Sequence, residues 1–337
     1  MTVQPTADSP GGAGRLTTDL WDAVIVGGGL AGLSAAVYLG RSQRRTLLVD
    51  AGESMARWEP VVENYLGFPE GLSGQSLLDR GREQVRKFGV QTTADRILRI
   101  GKDRGAFRLD ASGSGPYRSR RVLLATGLTH LLPDIPGADV CLGRSVLFCK
   151  DCDAFRVRGK RIVIYGRRNE AARYALAMLA FSRTVTVVTD GRPPGWDPMW
   201  QQALEEYEVP VCREPVKAFM HRDGGLEAVL FRDGRVCSAE ALFATRGDVY
   251  HTALAEALGA AEDAEGQLIV DGDMRTTVPG LYAAGCVTPA NCQMIIAAGQ
   301  GATAAQAIET DLFEESLRRH SLRRAGRIHA QAQGAVN

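Results

Sequence analysis

Two strand-to-helix turns broken by glycine, one near the start of the chain and one near its middle, constrain this chain more than any other feature of its sequence. The first follows Trp21-Asp22-Ala23-Val24-Ile25-Val26, an apolar run that breaks into Gly27-Gly28-Gly29-Leu30-Ala31-Gly32 and continues into the helix-like residues 33–39. A short apolar run, a glycine turn and helical periodicity predict strand, tight turn and helix. A second run, Thr46-Leu47-Leu48-Val49, ends in Asp50 and completes a βαβ unit of about 30 residues. The pattern returns at Arg161-Ile162-Val163-Ile164-Tyr165, with Gly166, a helical stretch over residues 170–180, and a run over residues 184–189 ending in Asp190. The predicted fold is therefore α/β, with two Rossmann-like, doubly wound domains.

The first turn has the chemistry of a dinucleotide site. A pyrophosphate must lie against bare backbone N–H groups at a helix N-terminus, and side chains there would block it. Gly27 permits the turn, Gly29 lets the pyrophosphate approach, and Gly32 lets helix and strand pack closely. Asp50, at the end of the second strand-like run, is placed to accept the adenosine ribose hydroxyls. The motif selects a dinucleotide without choosing between FAD and NAD.

With 337 residues, the chain is long enough for two cores that need neither disulfides nor a structural metal. Forty Lys and Arg against 39 Asp and Glu exclude a nucleic-acid binder that works by overall positive charge. No run approaches the roughly 20 apolar residues needed to cross a bilayer, so no membrane partner is expected. Residues 1–20, rich in Pro, Gly, Ser and Thr, are expected to be a disordered tail without signal-peptide character, and residues 316–337 a basic tail. The seven cysteines form an odd, scattered set unlike a secreted disulfide framework, which fits a reducing cytoplasm.

One cysteine pair has a chemical spacing. Cys149-Lys150-Asp151-Cys152, followed by Asp153, stands just before the second βαβ unit. Two thiols so placed can close a small disulfide loop suited to exchange, or stay as unpaired buried thiols. Zinc needs four ligands, and the sequence offers neither a second C-x-x-C nor a His pair at ligand spacing.

Taken with Val26 to Gly32, Glu63-Asn64-Tyr65-Leu66-Gly67-Phe68-Pro69, Ala125-Thr126-Gly127, and Asp273-Met274-Arg275-Thr276 through Ala283-Ala284-Gly285, the cysteine motif resembles the low-molecular-weight thioredoxin reductase family over residues 22–315. The resemblance implies FAD on Gly27, Gly29, Gly32 and Asp50, with Asn64, Thr126, Gly127, Gly285, Cys286 and the segment from Gln293 to Gln300 around the flavin. It implies a discontinuous FAD domain (residues 21–138 and 263–315) and a second domain (139–262) carrying the redox pair. Cys152 would face the flavin, Cys149 would exchange with the partner's disulfide, and Asp153 would act as general acid. A carboxyl group beside the pair can protonate a leaving thiolate, which gives that order its physical sense. A cytoplasmic homodimer acting on a thioredoxin-like protein or a small dithiol is implied too.

The chain departs from the family in four places. The second turn reads Gly166-Arg167-Arg168-Asn169, with Arg168 where the second glycine stands, so its side chain is expected to fill the pyrophosphate's space. Thr189-Asp190-Gly191 replaces the basic cluster for the 2′-phosphate, leaving an acid able to hold ribose hydroxyls instead. Both changes argue against NADPH and leave ferredoxin, NADH or a second flavin open. Cys286 stands where the family has an Asp that bonds the FAD, and thiol is a poor acceptor; it is expected to be a packed small residue or a third redox thiol. Asn291-Cys292-Gln293 replaces the arginine of the late flavin motif. Two rival functions remain open at this point: a dithiol oxidase using oxygen, and a non-enzymatic flavin-binding redox sensor.

Overall fold

The structure, a computed structural model, describes residues 20–323. Nearly all of the expected N-terminal tail and the end of the basic tail lie outside the described residues. Leu20, given to that tail by the sequence, opens the first strand.

The first sheet orders its strands β3 (Gln91–Ala94), β2 (Thr46–Asp50), β1 (Leu20–Val26), β6 (Tyr117–Leu124), β5 (Ala106–Ala111) and β4 (Ile97–Asp103), and β17 (Leu281–Ala283) also pairs with β6. β1 runs parallel to β2 and β6, while β4, β5 and β6 are antiparallel. Because β1 is covered on both sides, its apolar run hardly alternates in character, yet its side chains still divide by period two. Ala23 and Ile25 enter the core beneath α1 (Leu30–Arg41), α2 (Gly74–Lys87) and α8 (Met294–Arg318); Val24 and Val26 enter the core on the opposite face with Phe107 and Leu281. β17 joins this sheet after the chain has built a second one, so the first Rossmann-like layer is discontinuous in sequence.

The second sheet is wholly parallel, in the order β11 (Val211–Cys212), β10 (Val185–Val188), β9 (Ile162–Tyr165), β15 (Ala241–Ala244) and β8 (Val146–Leu147). Ile162 and Ile164 pack on α5 (Asn169–Met178) and α6 (Pro198–Glu206), whereas Val163 and Tyr165 face the antiparallel sheet β12 (Val216–Arg222), β13 (Gly225–Phe231) and β14 (Val236–Ser238). Trp196 and Trp200, expected to pack in a core or interface, belong to the core under α5 and α6. A two-stranded ribbon of β7 (Leu128–His130) and β16 (Asp248–Tyr250) lies where the chain passes between the two sheets. Short helices α3 (Ala138–Cys141), α4 (Lys150–Asp153) and α7 (Ala253–Glu256) complete the element order.

The last helix is longer than the small-residue segment 297–308 that the sequence suggests. Its second half is held by ion pairs that no local pattern announces: Glu309 with Arg44 at 2.5 Å, Asp311 with Arg275 at 2.9 Å, and Glu315 with Arg121 at 3.0 Å. The first two residues of the expected basic cluster are also paired, Arg318 with Glu314 and Arg319 with Glu315. Among the described residues no helix is long and apolar enough to cross a membrane.

α1 and α8 meet through backbone rather than side chains. A Cβ on Gly301 would lie 2.0 Å from the Ala31 carbonyl oxygen, and one on Gly32 would lie 1.9 Å from that of Gly27. Overpacking of this kind typically costs about 1–3 kcal/mol. Gly301→Ala is therefore expected to lower the thermal midpoint measurably, and an unchanged midpoint would mean the helices do not meet there.

Candidate active site

The first glycine turn is built as the sequence requires. Gly27 has φ +108°, and a Cβ there would strike the Ala125 carbonyl oxygen at 2.3 Å, so only glycine fits. Gly29 precedes α1 as its N-cap, and a Cβ there would meet nothing closer than Ser54 Oγ at 3.4 Å. Space is thus left above Gly29 for a ligand. Asp50 Oδ1 accepts hydrogen bonds from the backbone N–H of Gly28 (3.1 Å) and Gly52 (3.0 Å). Those two bonds fix the carboxylate at the end of β2, and a cavity lined by Asp50, Gly52, Arg82 and Thr92 opens beside it. This cradle fits an adenine dinucleotide: donors at a bare helix start, an anchored acid for the ribose, and no Cβ in the way. Gly28, an unassigned position in the sequence motif, adds the donor that orients the acid.

Cys149 and Cys152 form a disulfide, with Cα atoms 5.3 Å apart, across the start of α4. Cys149 is the N-cap, and its sulfur accepts from the Cys152 backbone N–H at 3.1 Å. Two residues far away in sequence hold the pair. Gln293 Nε2 donates to both sulfurs, at 3.2 Å for Cys149 and 3.5 Å for Cys152, while Gln293 Oε1 accepts from Asn64 Nδ2 at 2.9 Å. Asn64 Nδ2 also reaches the Asp151 carbonyl oxygen, at 3.4 Å. Tyr174, from α5, accepts from the Lys150 backbone N–H and donates to the Phe148 carbonyl oxygen at 3.0 Å. Burial pushes its hydroxyl up to about 12, which keeps the donating proton in place.

Asp153 follows the pair and is only 2% exposed. Burial first, then the negative charge of Glu59, push its carboxyl up to about 7, against the opposing pull of Arg156 at 2.8 Å. Glu59 is itself raised by burial. A buried acid that keeps its proton to neutral pH is poised to donate it. His130 stacks on Phe148 with ring centres 4.6 Å apart and hydrogen-bonds Asp248.

Thr126 and Gly127 form the passage between the sheets. Thr126 Oγ1 donates to the His251 carbonyl oxygen at 2.7 Å, its own carbonyl contacts His251 Nδ1 at 2.9 Å, and the Gly127 carbonyl accepts from the His251 N–H. Gly285, at φ +82°, donates its N–H to Gln300 Oε1 at 2.8 Å. Cys286 is not a lone packed residue: it forms a disulfide with Cys292. Their spacing matches no motif, so sequence pattern leaves the two cysteines separate. Glu59, Tyr174, His251 and Arg156 are equally silent in the sequence, because each reaches the site through contacts no spacing rule encodes.

The second glycine turn is tied to the loop that follows β10. Gly195 N–H donates to the Arg167 carbonyl oxygen at 2.7 Å, and Asn169, in the first turn of α5, exchanges hydrogen bonds with the backbone and side chain of Asp197 at 2.8 Å each. Residues 191–197 thereby fold over the start of α5. Arg168 is the N-cap and its side chain is exposed. Asp190, which the sequence leaves free for ribose hydroxyls, has both oxygens engaged, Oδ2 by the Tyr165 hydroxyl and Oδ1 by the Val216 N–H at 2.7 Å.

The sequence profile of the family described as pyridine nucleotide-disulphide oxidoreductase matches residues 21–309. Thioredoxin reductase of Treponema pallidum is 31% identical over 296 residues, covering 85% of this chain and 95% of that protein. Among solved structures, HlmI superposes with a TM-score of 0.85 at 28% identity, covering 91% of this chain and 97% of that one. A thioredoxin reductase from Streptococcus pyogenes superposes at 0.82 with 25% identity, covering 88% and 99%. Fold and site together define an enzyme class, the FAD-dependent disulfide oxidoreductases. The chain belongs to the pyridine nucleotide-disulphide oxidoreductase family, among its low-molecular-weight thioredoxin reductases.

The space above Gly29 separates folding from cofactor binding. Gly29→Ala should retain flavin, whereas Gly29→Arg should fold with unchanged circular dichroism yet purify with at most roughly a tenth of the flavin, because its side chain fills the pyrophosphate site. Full flavin absorbance in Gly29→Arg would place the pyrophosphate elsewhere.

Proposed function

We propose that this enzyme exchanges two electrons between FAD, the Cys149–Cys152 pair and a thioredoxin-like protein or small dithiol, drawing on a donor other than NADPH, with ferredoxin the favoured class. The observation that carries the reading is the junction at Gln293: one amide touches both sulfurs of the disulfide and, through Asn64, ties them to the loop before α2, a helix that packs on the sheet bearing the dinucleotide cradle. Gly27, Gly29, Gly32 and Asp50 would hold FAD, which when bound would supply two-electron redox chemistry, and Cys152 would be the flavin-facing member of the pair. Asn64, Thr126, Gly127, Gly285 and Gln293 line the route between the cradle and the pair, and Cys286 stands beside it.

The chain's own groups account for the partner step. In the reducing direction the Cys149 thiolate attacks one sulfur of the partner's disulfide, forming a mixed disulfide and breaking the partner's S–S bond. Asp153 gives its proton to the leaving thiolate. Cys152 then attacks the Cys149 sulfur, restores the internal disulfide and releases the partner's second sulfur, so two electrons have passed to the partner. Arg156 and Glu59 set the acid's proton affinity from opposite sides.

The closed second turn supports a donor other than NADPH. Its helix start is covered by residues 191–197, and Asp190 is engaged and negative where a 2′-phosphate needs a cation. The likeness to thioredoxin reductases further supports a cytoplasmic homodimer, its oligomeric state checked by light scattering of the purified protein. Anaerobic titration with NADPH, NADH and reduced ferredoxin, following flavin bleaching, tests the donor. Bleaching by ferredoxin, and little or none by NADPH, is expected; rapid bleaching by micromolar NADPH would overturn the assignment.

The acid also sets a pH dependence. Asp153 is protonated below about pH 7 and loses its proton above it, so partner reduction should fall as pH rises through that value. Asp153→Asn should slow exchange about 10²-fold or more and remove the inflection. Since Glu59 raises the Asp153 value and Arg156 lowers it, Glu59→Gln should move the inflection to lower pH and Arg156→Gln to higher pH. A profile that none of the three substitutions alters would exclude Asp153 as the acid.

A further inference from the structure

The Cys286–Cys292 disulfide closes the loop between β17 and α8, with Cα atoms 4.9 Å apart. The bridge spans only six residues, so it constrains the unfolded chain less than a bridge over a longer loop would, and the Cys286 side of the loop is held by other bonds as well. Thr288 is fully buried, and its Oγ1 donates to the Gly285 carbonyl at 2.8 Å; Gln267 Nε2 donates to the Thr288 carbonyl at 2.9 Å; the Leu268 N–H donates to the Val287 carbonyl at 2.9 Å. Both cysteines are half-buried rather than sealed in the core.

The position of the bond is more telling than its strength. Cys292 is followed directly by Gln293, whose amide holds both sulfurs of the Cys149–Cys152 pair. A single planar peptide unit, rigid in itself, therefore separates the anchor of the second disulfide from the residue that grips the first. Opening the Cys286–Cys292 bond removes the tie between Cys292, immediately before that grip, and the firmly held Cys286 side of the loop.

We propose that Cys286 and Cys292 form a second reversible disulfide, opened and closed by dithiols, and that its state sets the hold of Gln293 on the Cys149–Cys152 sulfurs. A thiolate of the incoming dithiol attacks one sulfur of the Cys286–Cys292 bond. A mixed disulfide forms, and the other cysteine leaves as a thiolate that takes a proton from water. The dithiol's second thiol then closes on the first, departs as an internal disulfide and leaves two reduced cysteines, two electrons having passed to the protein. The oxidised dithiol runs the same steps backwards.

The test needs no knowledge of the physiological donor. Native protein is equilibrated with graded ratios of reduced to oxidised dithiothreitol, free thiols are alkylated, and each cysteine is followed by peptide mass spectrometry. Cys286 and Cys292 are expected to pass from blocked to labelled together and reversibly without denaturant. In Cys286→Ser/Cys292→Ser the ratio giving half-labelling of Cys149 and Cys152 should shift about tenfold, or about 30 mV for a two-electron couple. Should that variant not fold, Gln293→Ala is expected to shift the same ratio while Cys286 and Cys292 still titrate. Labelling of Cys286 and Cys292 only after denaturation, or their labelling in air-oxidised protein, would overturn the second disulfide. A titrating pair with an unmoved Cys149–Cys152 ratio would overturn the link through Gln293.

Discussion

The bare-backbone contact between α1 and α8 is the constraint on which the rest of the molecule depends. Gly32 lets the first helix settle on Gly27, and Gly301 lets the last helix settle on Ala31. A side chain at Gly301 would push α8 off α1, and one at Gly32 would push α1 off the turn at Gly27. Because neither position carries one, the end of the chain returns to the sheet on which it began, and the loop before α8 delivers Gln293 to a disulfide formed much earlier in the sequence.

Around that junction the molecule concentrates polar groups with few alternatives. Glu59 and His130 come from other parts of the chain to the neighbourhood of Asp153, at the end of α4, and Arg156, three residues further on. Two acids and one arginine so placed cannot all be stabilised as ions, so one carboxyl keeps its proton. The neighbouring Tyr174 fixes the backbone on both sides of Cys149 with a single hydroxyl. The pair is therefore mounted on a short helix whose ends are set by other parts of the fold.

What can be read from sequence is what depends on local pattern. Residues 22–50 disclose strand, turn, helix and acid because each step is a matter of periodicity or of an absent Cβ, and residues 161–190 repeat it with one glycine replaced by Arg168. The discontinuous first layer is not legible in local pattern alone; the resemblance implies it, through the motif that ends at Gly285. The loop 191–197 folding over α5 is not legible either, since Gly195 meeting Arg167 and Asn169 meeting Asp197 are tertiary contacts between residues of unremarkable type. The same holds for Cys286 and Cys292, whose pairing depends on how one loop bends. Arg44, Arg121 and Arg275, which carry α8 far past residue 308, stand in other elements and loops, distant along the chain from the acids they pair with.

The length of that last helix bears on the sulfur chemistry in one more way. α8 runs for 25 residues, and its cap, Gln293, is the residue against the Cys149–Cys152 sulfurs. The aligned peptide dipoles of a long helix amount to roughly half a positive charge at its start. Negative charge set free on a sulfur when the bond opens thus emerges facing the favourable pole of the longest element in the fold. The acidic side chains Glu309, Asp311, Glu314 and Glu315 are confined to its far half. The helix that closes the first layer is thereby also a fixed electrostatic support for the reduced pair, present before any partner arrives.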